Sequence, residues 1–126
     1  MKRILVVEDN QANMYLVEFI LTHTGYEVLK AENGEDGVAL ALKERPDLIL
    51  MDIQLPGIDG LEATRRIRAS EVDGNVPIVA LTSYAMTGDR ERAEAAGCDG
   101  YIEKPIDPET FVGRIVTYLQ ARKATP

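Results

Sequence analysis

The chain is poor in the features that define several large protein classes. It holds one cysteine, Cys98, in 126 residues. An internal disulfide is therefore impossible, and a small secreted disulfide scaffold is excluded. No apolar run approaches the roughly 20 residues a membrane helix needs. Before Glu8 the N-terminus offers only Ile4-Leu5-Val6-Val7, too short for the apolar region of a signal peptide. Positive charge is also scarce: 14 Lys and Arg stand against 21 Asp and Glu, for a formal net charge of −7. That balance argues against non-specific nucleic-acid binding, which depends on Lys and Arg neutralising phosphates. Neither G-x-x-x-x-G-K-[ST] nor G-x-G-x-x-G occurs, which removes the usual nucleotide-binding arguments. Internal repeats, low-complexity tracts and linkers are absent as well. The expectation is one soluble cytoplasmic domain spanning 1–126, with its core over about 3–122 and a loose tail, and with neither nucleic acid nor membrane as partner.

What the sequence does contain is a strict alternation of short apolar runs and amphipathic segments. Arg3-Ile4-Leu5-Val6-Val7 reads as a buried parallel strand. Asn10 then caps a helix over about 11–24 with Leu16, Val17, Ile20 and Leu21 on one face, and Gly25 supplies its left-handed stop. Residues 26–30 read as a second strand. Asn33-Gly34 opens a helix carrying Val38, Ala41 and Leu42, which ends before Pro46. Leu48 to Met51 forms a third strand, apolar on both faces, and Asp59 caps a helix to about 69. Ile78 to Leu81 is the fourth strand, followed by a helix from Thr87 or Gly88 to Ala96, stopped by Gly97. Tyr101-Ile102 lies in a fifth strand. Asp107-Pro108-Glu109 starts the last helix, with Phe111, Val112, Ile115, Val116 and Leu119 on one face. Five strands and five helices with short connections predict an α/β fold. The expected form is a flavodoxin-like parallel sheet of order 2-1-3-4-5, covered by helices on both faces.

In such a fold ligands sit beyond the carboxyl ends of the strands. The residues placed there are Glu8 and Asp9 after strand 1, Asp52 after strand 3, Thr82 and Ser83 after strand 4, and Lys104 with Pro105 after strand 5. Taken singly, each has an ordinary role as turn residue, helix cap or solvated charge. Taken together, they bring three carboxylates, a hydroxyl and one ammonium to one edge. Clustered carboxylates repel one another unless a cation neutralises them. The oxygen-rich set suits Mg²⁺, which takes one or two carboxylates plus waters and leaves room for a phosphate oxygen. Three carboxylates against one ammonium leave two negative charges, which an incoming phosphoryl group of about −2 meets unless metal is bound. Asp52 is the best-placed nucleophile for a covalent acyl phosphate. Glu8 and Asp9 then hold the ion with it, Thr82 hydrogen-bonds one phosphoryl oxygen, and Lys104 pairs with another.

Glu8-Asp9-Asn10, Leu50-Met51-Asp52-Ile53-Gln54-Leu55-Pro56, Ala80-Leu81-Thr82-Ser83 and Lys104-Pro105 occur in order, and together they resemble the signature blocks of response-regulator receiver domains. The resemblance covers about residues 3–122 and implies several things. Asp52 is the phosphoacceptor, supplied by a histidine kinase or a histidine phosphotransfer protein. Mg²⁺ is bound by Glu8, Asp9, Asp52 and the main-chain carbonyl of Gln54. Thr82 and Tyr101 form a switch pair, in which Thr82 moves toward the phosphoryl group and the aromatic ring turns inward. The Lys104–Pro105 bond is cis, in keeping with cis bonds being largely a proline matter. Gln54 and Tyr84 tune the phosphoryl lifetime. A downstream protein docks on the face made by helix 4, strand 5 and helix 5.

Helix 4 has only alanines as apolar residues, so it buries little area and is lightly anchored, as a moving part should be. His23, late in helix 1, reads as an ordinary helix-end residue, and Cys98 lacks a partner for metal or thiol chemistry. A flavodoxin is disfavoured because Glu8-Asp9 repels a phosphate ester. A Mg²⁺-dependent aspartyl-phosphate phosphatase is a distant alternative, since it wants a second Asp two residues after the nucleophile, where Gln54 stands. The expected role is a non-enzymatic signalling switch with slow self-dephosphorylation, either a stand-alone regulator or a receiver cut from a hybrid histidine kinase.

Overall fold

The computed structural model describes residues 2–70, 76–83 and 88–124, the last four by backbone alone. The chain runs β1 (Arg3–Val7), α1 (Gln11–His23), β2 (Glu27–Ala31), α2 (Gly34–Glu44), β3 (Leu48–Asp52), α3 (Gly60–Ser70), β4 (Ile78–Thr82), α4 (Asp89–Ala96), β5 (Gly100–Glu103) and α5 (Pro108–Ala124). All strand pairings are parallel, in the order β2-β1-β3-β4-β5. This is the flavodoxin-like arrangement expected from the alternation.

Strand periodicity divides the core into two layers. Ile4, Val6, Leu48, Leu50, Val79, Leu81 and Ile102 pack with Val17, Ile20 and Leu21 of α1 and with Phe111, Ile115 and Leu119 of α5. The alternate residues Leu5, Val7, Ile49, Met51, Ile78, Ala80 and Tyr101 face Ala41 of α2, Leu61, Ala63 and Ile67 of α3, and Ala93 and Ala96 of α4. Every residue of β3 and β4 is buried. Each fully buried Leu, Ile or Val contributes about 1.5–3 kcal/mol by leaving water, so the central strands anchor the edge from which the polar residues emerge.

The local signals act as their chemistry dictates. Asn10 Oδ1 accepts from Asn13 N at 2.9 Å and Asn33 Oδ1 from Asp36 N at 2.8 Å, capping α1 and α2. Asp59 Oδ1 accepts from Glu62 N at 2.8 Å, and Asp107 Oδ1 from Glu109 N at 3.0 Å. Gly97 ends α4 in the left-handed region, with φ +112°.

Some boundaries and faces differ from the sequence expectation. α1 ends at His23, and β2 is shifted by one residue to 27–31. Leu42 is exposed at 38% while Gly34 and Gly37 are buried. A Cβ on Gly37 would stand 2.8 Å from Val7 Cγ2. The helix thus sets its glycine side against β1 and turns Leu42 outward. Met14, absent from the expected stripe of α1, is buried, and Leu16 is only half-buried. α4 begins at Asp89 with Gly88 as its cap. Thr87, the other start considered for this helix, and Tyr84 lie outside the described residues. α5 continues through Ala124, into the tail expected to be loose after about residue 122.

Candidate functional site

Five backbone segments converge at the carboxyl edge of the sheet. Glu8 follows β1 directly. Its amide donates to Ala31 O of β2 at 3.0 Å, so the chain is still held in the sheet where the side chain departs. That side chain is 1% exposed, and its Oε2 accepts from Asn10 N at 3.2 Å. The residue that caps α1 with its side chain therefore also fixes Glu8 through its amide. Asp9, between them, is exposed.

Asp52 is the last residue of β3, one position further into the sheet than its expected place beyond the strand end, and is 3% exposed. Its Oδ1 accepts from Gln54 N at 3.0 Å. On either side of this turn, Ile53 N donates to Leu81 O at 3.0 Å, and Gly60 N to Ile53 O at 2.9 Å. α3 starts so close to the turn that a Cβ on Gly60 would stand 2.0 Å from Asp52 O. Only glycine permits that approach.

Thr82 closes β4 and is 2% exposed, and its carbonyl accepts from Lys104 N at 2.7 Å. The Lys104–Pro105 peptide is cis. Lys104 Nζ reaches across the edge to lie 2.7 Å from Glu8 Oε1 and 3.1 Å from Asp52 Oδ2. Asp52 is thus held at both oxygens, one by a main-chain amide and the other by an ammonium.

Oxygens of Glu8, Asp9 and Asp52 lie within 4.8 Å of one another. Burial, and then the neighbouring Asp52 carboxyl, push Glu8 up to about 7, against the pull of Lys104. Burial alone lowers the Lys104 ammonium, but its contacts with Glu8 and Asp52 outweigh that and raise it, so the lysine stays charged. Buried Glu8 Oε1 has the Lys104 ion pair but no hydrogen bond with directed geometry. A buried carboxylate oxygen left in that state, beside two further carboxylates, is a donor set that fits a hard divalent cation.

Tyr101, in β5, is 7% exposed. It pairs in register with Ala80, and Thr82 is two residues beyond Ala80. Alternation along the strand therefore puts Thr82 and the Tyr101 ring on the same face of neighbouring strands. Arg114 Nη2 donates to Tyr101 O at 2.7 Å, and the Arg90 guanidinium lies over the ring, 5.4 Å from its centroid. His23 ends α1, at the far edge of the sheet. Its Nδ1 is 2.9 Å from Phe19 O, and its ring stacks on Phe19 at 4.0 Å. Cys98 is buried, with its Sγ 3.8 Å from Thr64 Oγ1, and burial pushes its thiol up.

The structure thus groups Glu8, Asp9, Asp52 and Lys104, with Thr82 at the adjoining strand end. The Asn10 amide bond to Glu8, the close approach of Gly60 and the contacts of Arg90 and Arg114 are contributions the sequence reading missed. Gly60 sits beside a recognisable cap, Asp59, but nothing in its identity announces that it faces the Asp52 carbonyl.

Residues 4–116 match the response regulator receiver domain family. The polar-differentiation response regulator DivK of Brucella anthropi is 43% identical over 118 residues, covering 94% of this chain and 96% of that protein. DivK of Brucella ovis is 42% identical over the same length. Among solved structures, a CheY-like response regulator receiver domain protein from Methanospirillum hungatei superposes with a TM-score of 0.92 at 31% identity, covering 100% of this chain and 99% of its own. The receiver domain of the sensor histidine kinase PA1611 from Pseudomonas aeruginosa was solved with a magnesium ion in its active-site cleft. It superposes with a TM-score of 0.87 at 40% identity, covering 94% of this chain and 98% of its own. Among the described residues no helix is long and apolar enough to cross a membrane. The chain belongs to the response regulator receiver domain family, and is the receiver of a two-component response regulator with the CheY-like fold.

Proposed function

We propose that Asp52 accepts a phosphoryl group from a histidine kinase or a histidine phosphotransfer protein. The observation that carries this reading is the seating of Asp52: buried at the end of β3, with Oδ1 on Gln54 N and Oδ2 on Lys104 Nζ, beside Glu8 and Asp9. The carboxylate attacks phosphorus, the P–N bond to the donor imidazole breaks, and the imidazole nitrogen leaves with the electron pair. Water later attacks the acyl phosphate, releasing inorganic phosphate and restoring the carboxylate. The protein is then a phosphorylated switch that dephosphorylates itself slowly and metabolises no substrate.

Mg²⁺, held by Glu8, Asp9, Asp52 and the Gln54 carbonyl, supplies the positive charge that lets a phosphate approach this acidic edge. Lys104 pairs with a phosphoryl oxygen, and the Thr82 hydroxyl donates to another. The register that places Thr82 and Tyr101 on one face supports their pairing as the switch. Movement of Thr82 toward the phosphoryl group stabilises the inward ring and remodels the α4–β5–α5 face, where a downstream protein docks. Labelling with acetyl phosphate tests the reading: it should proceed with Mg²⁺ and stop in excess chelator, and labelling that persists in chelator contradicts it.

A further inference from the structure

Tyr101 is gripped from both helices that flank β5. Arg114 of α5 holds its main-chain carbonyl at 2.7 Å, and Arg90 of α4 covers its ring at 5.4 Å. The first contact fixes the backbone and leaves the ring as the part free to turn. The second contact has a different consequence, because only Ala93 and Ala96 are buried along the length of α4. Arg90 lies in the first turn, a full turn before Ala93. Between the two arginines is a cleft of about 120 Å³ lined also by Glu94, Gly100 and Tyr118.

We infer that Arg90 is a positioning residue of the switch: its guanidinium holds the Tyr101 ring inward and, through that ring, pins the first turn of α4 to β5. The inference rests on reading Tyr101 as the switch ring. The attraction is electrostatic, between a cation and the face of the aromatic ring, and at an exposed site it corresponds to about a two- to five-fold change in population. That suits a bias that a phosphoryl group can reinforce and does not suit a permanent lock. The inward ring presents Arg90 along α4, whereas an outward ring removes the surface on which Arg90 rests. Ring state and helix position are then one equilibrium.

The test uses the full chain carrying fluorotyrosine, with the resonance of residue 101 assigned through Tyr101→Phe and followed by fluorine NMR. In the resting chain Arg90→Gln should move that resonance toward the solvent-exposed position, the inward-to-outward ratio falling about two- to five-fold. Arg90→Lys, which keeps a cation, should restore most of the wild-type position. Arg92→Gln, which removes a neighbouring charge paired with Asp89, should leave it in place. With Mg²⁺ and beryllofluoride added as the phosphoryl mimic, the α4 amides of Arg90→Gln should respond less than those of the wild type. A residue 101 resonance unmoved by Arg90→Gln, or moved equally by Arg92→Gln, overturns the inference. The ring is first read without Mg²⁺ or beryllofluoride. Failure of beryllofluoride to bind therefore counts against the phosphoacceptor reading alone, and an unmoved resonance with normal beryllofluoride uptake counts against Arg90 alone.

Discussion

Lys104 Nζ lies 2.7 Å from Glu8 Oε1, and the same ammonium lies 3.1 Å from Asp52 Oδ2. One cation from the residue that follows β5 thus links the ends of β1 and β3 across the site edge. Lys104→Ala removes the only positive charge of this constellation. We expect phosphorylation of Asp52 to persist, because Asp52, Glu8 and Asp9 all remain, while the amide shift changes that follow it are reduced. Heteronuclear spectra of the variant with and without acetyl phosphate and Mg²⁺ check this, and a wild-type pattern of shifts counts against a role for Lys104 in the switch.

Glu8 makes the site pH-sensitive. Its carboxyl is raised to about 7 from an ordinary 4.5, so between these values and without metal the folded site keeps a proton that the unfolded chain has released. The folded state therefore binds more protons across the interval 4.5 to 7, and the metal-free protein should lose stability as pH rises through it. A cation bound to the Glu8 carboxylate competes with that proton. Apparent Mg²⁺ affinity should accordingly climb as pH rises through about 7, with proton release on binding. Isothermal titration in two buffers of different ionisation enthalpy measures both effects, and a flat profile with no proton release contradicts them.

Two glycine substitutions separate a close approach from ordinary helix propensity. In Gly60→Ala the new methyl meets the Asp52 carbonyl oxygen at 2.0 Å, so the turn after Asp52 must shift. Overpacking of this kind costs about 1–3 kcal/mol or more, and labelling of Asp52 should slow with it. In Gly113→Ala, on the exposed side of α5, nothing beyond the local helix backbone lies within 4 Å of the added methyl, and the change should stabilise by about 0.5–1 kcal/mol. Urea denaturation of the two variants beside the wild type reads the difference in sign.

The sheet order and the carboxyl-edge residues were legible because both follow from short-range pattern. Apolar runs such as Leu48 to Leu50 have one stable home, between two helical layers, and parallel connections send Glu8, Asp52, Thr82 and Lys104 to one edge. Caps at Asn10, Asn33, Asp59 and Asp107 were likewise readable, because an oxygen three atoms from the backbone bonds a nearby amide regardless of tertiary context. The hidden parts are those set by distance between segments. The outward turn of Leu42 depends on Gly34 and Gly37 packing against Ile58 and Val7, which no helical period contains. The contacts of Arg90 and Arg114 with Tyr101 join residues from three elements and leave no local trace. The proton affinity of Glu8 arises from burial and from Asp52, 44 positions away in sequence, and is invisible until both strand ends are side by side.

The most direct measurement is intact mass after incubation with acetyl phosphate and Mg²⁺, comparing the wild-type chain with Asp52→Asn. The account predicts a gain of about 80 Da, one phosphoryl group, in the wild type and none in the variant. An equal gain in Asp52→Asn would contradict the assignment of Asp52 as the phosphoacceptor.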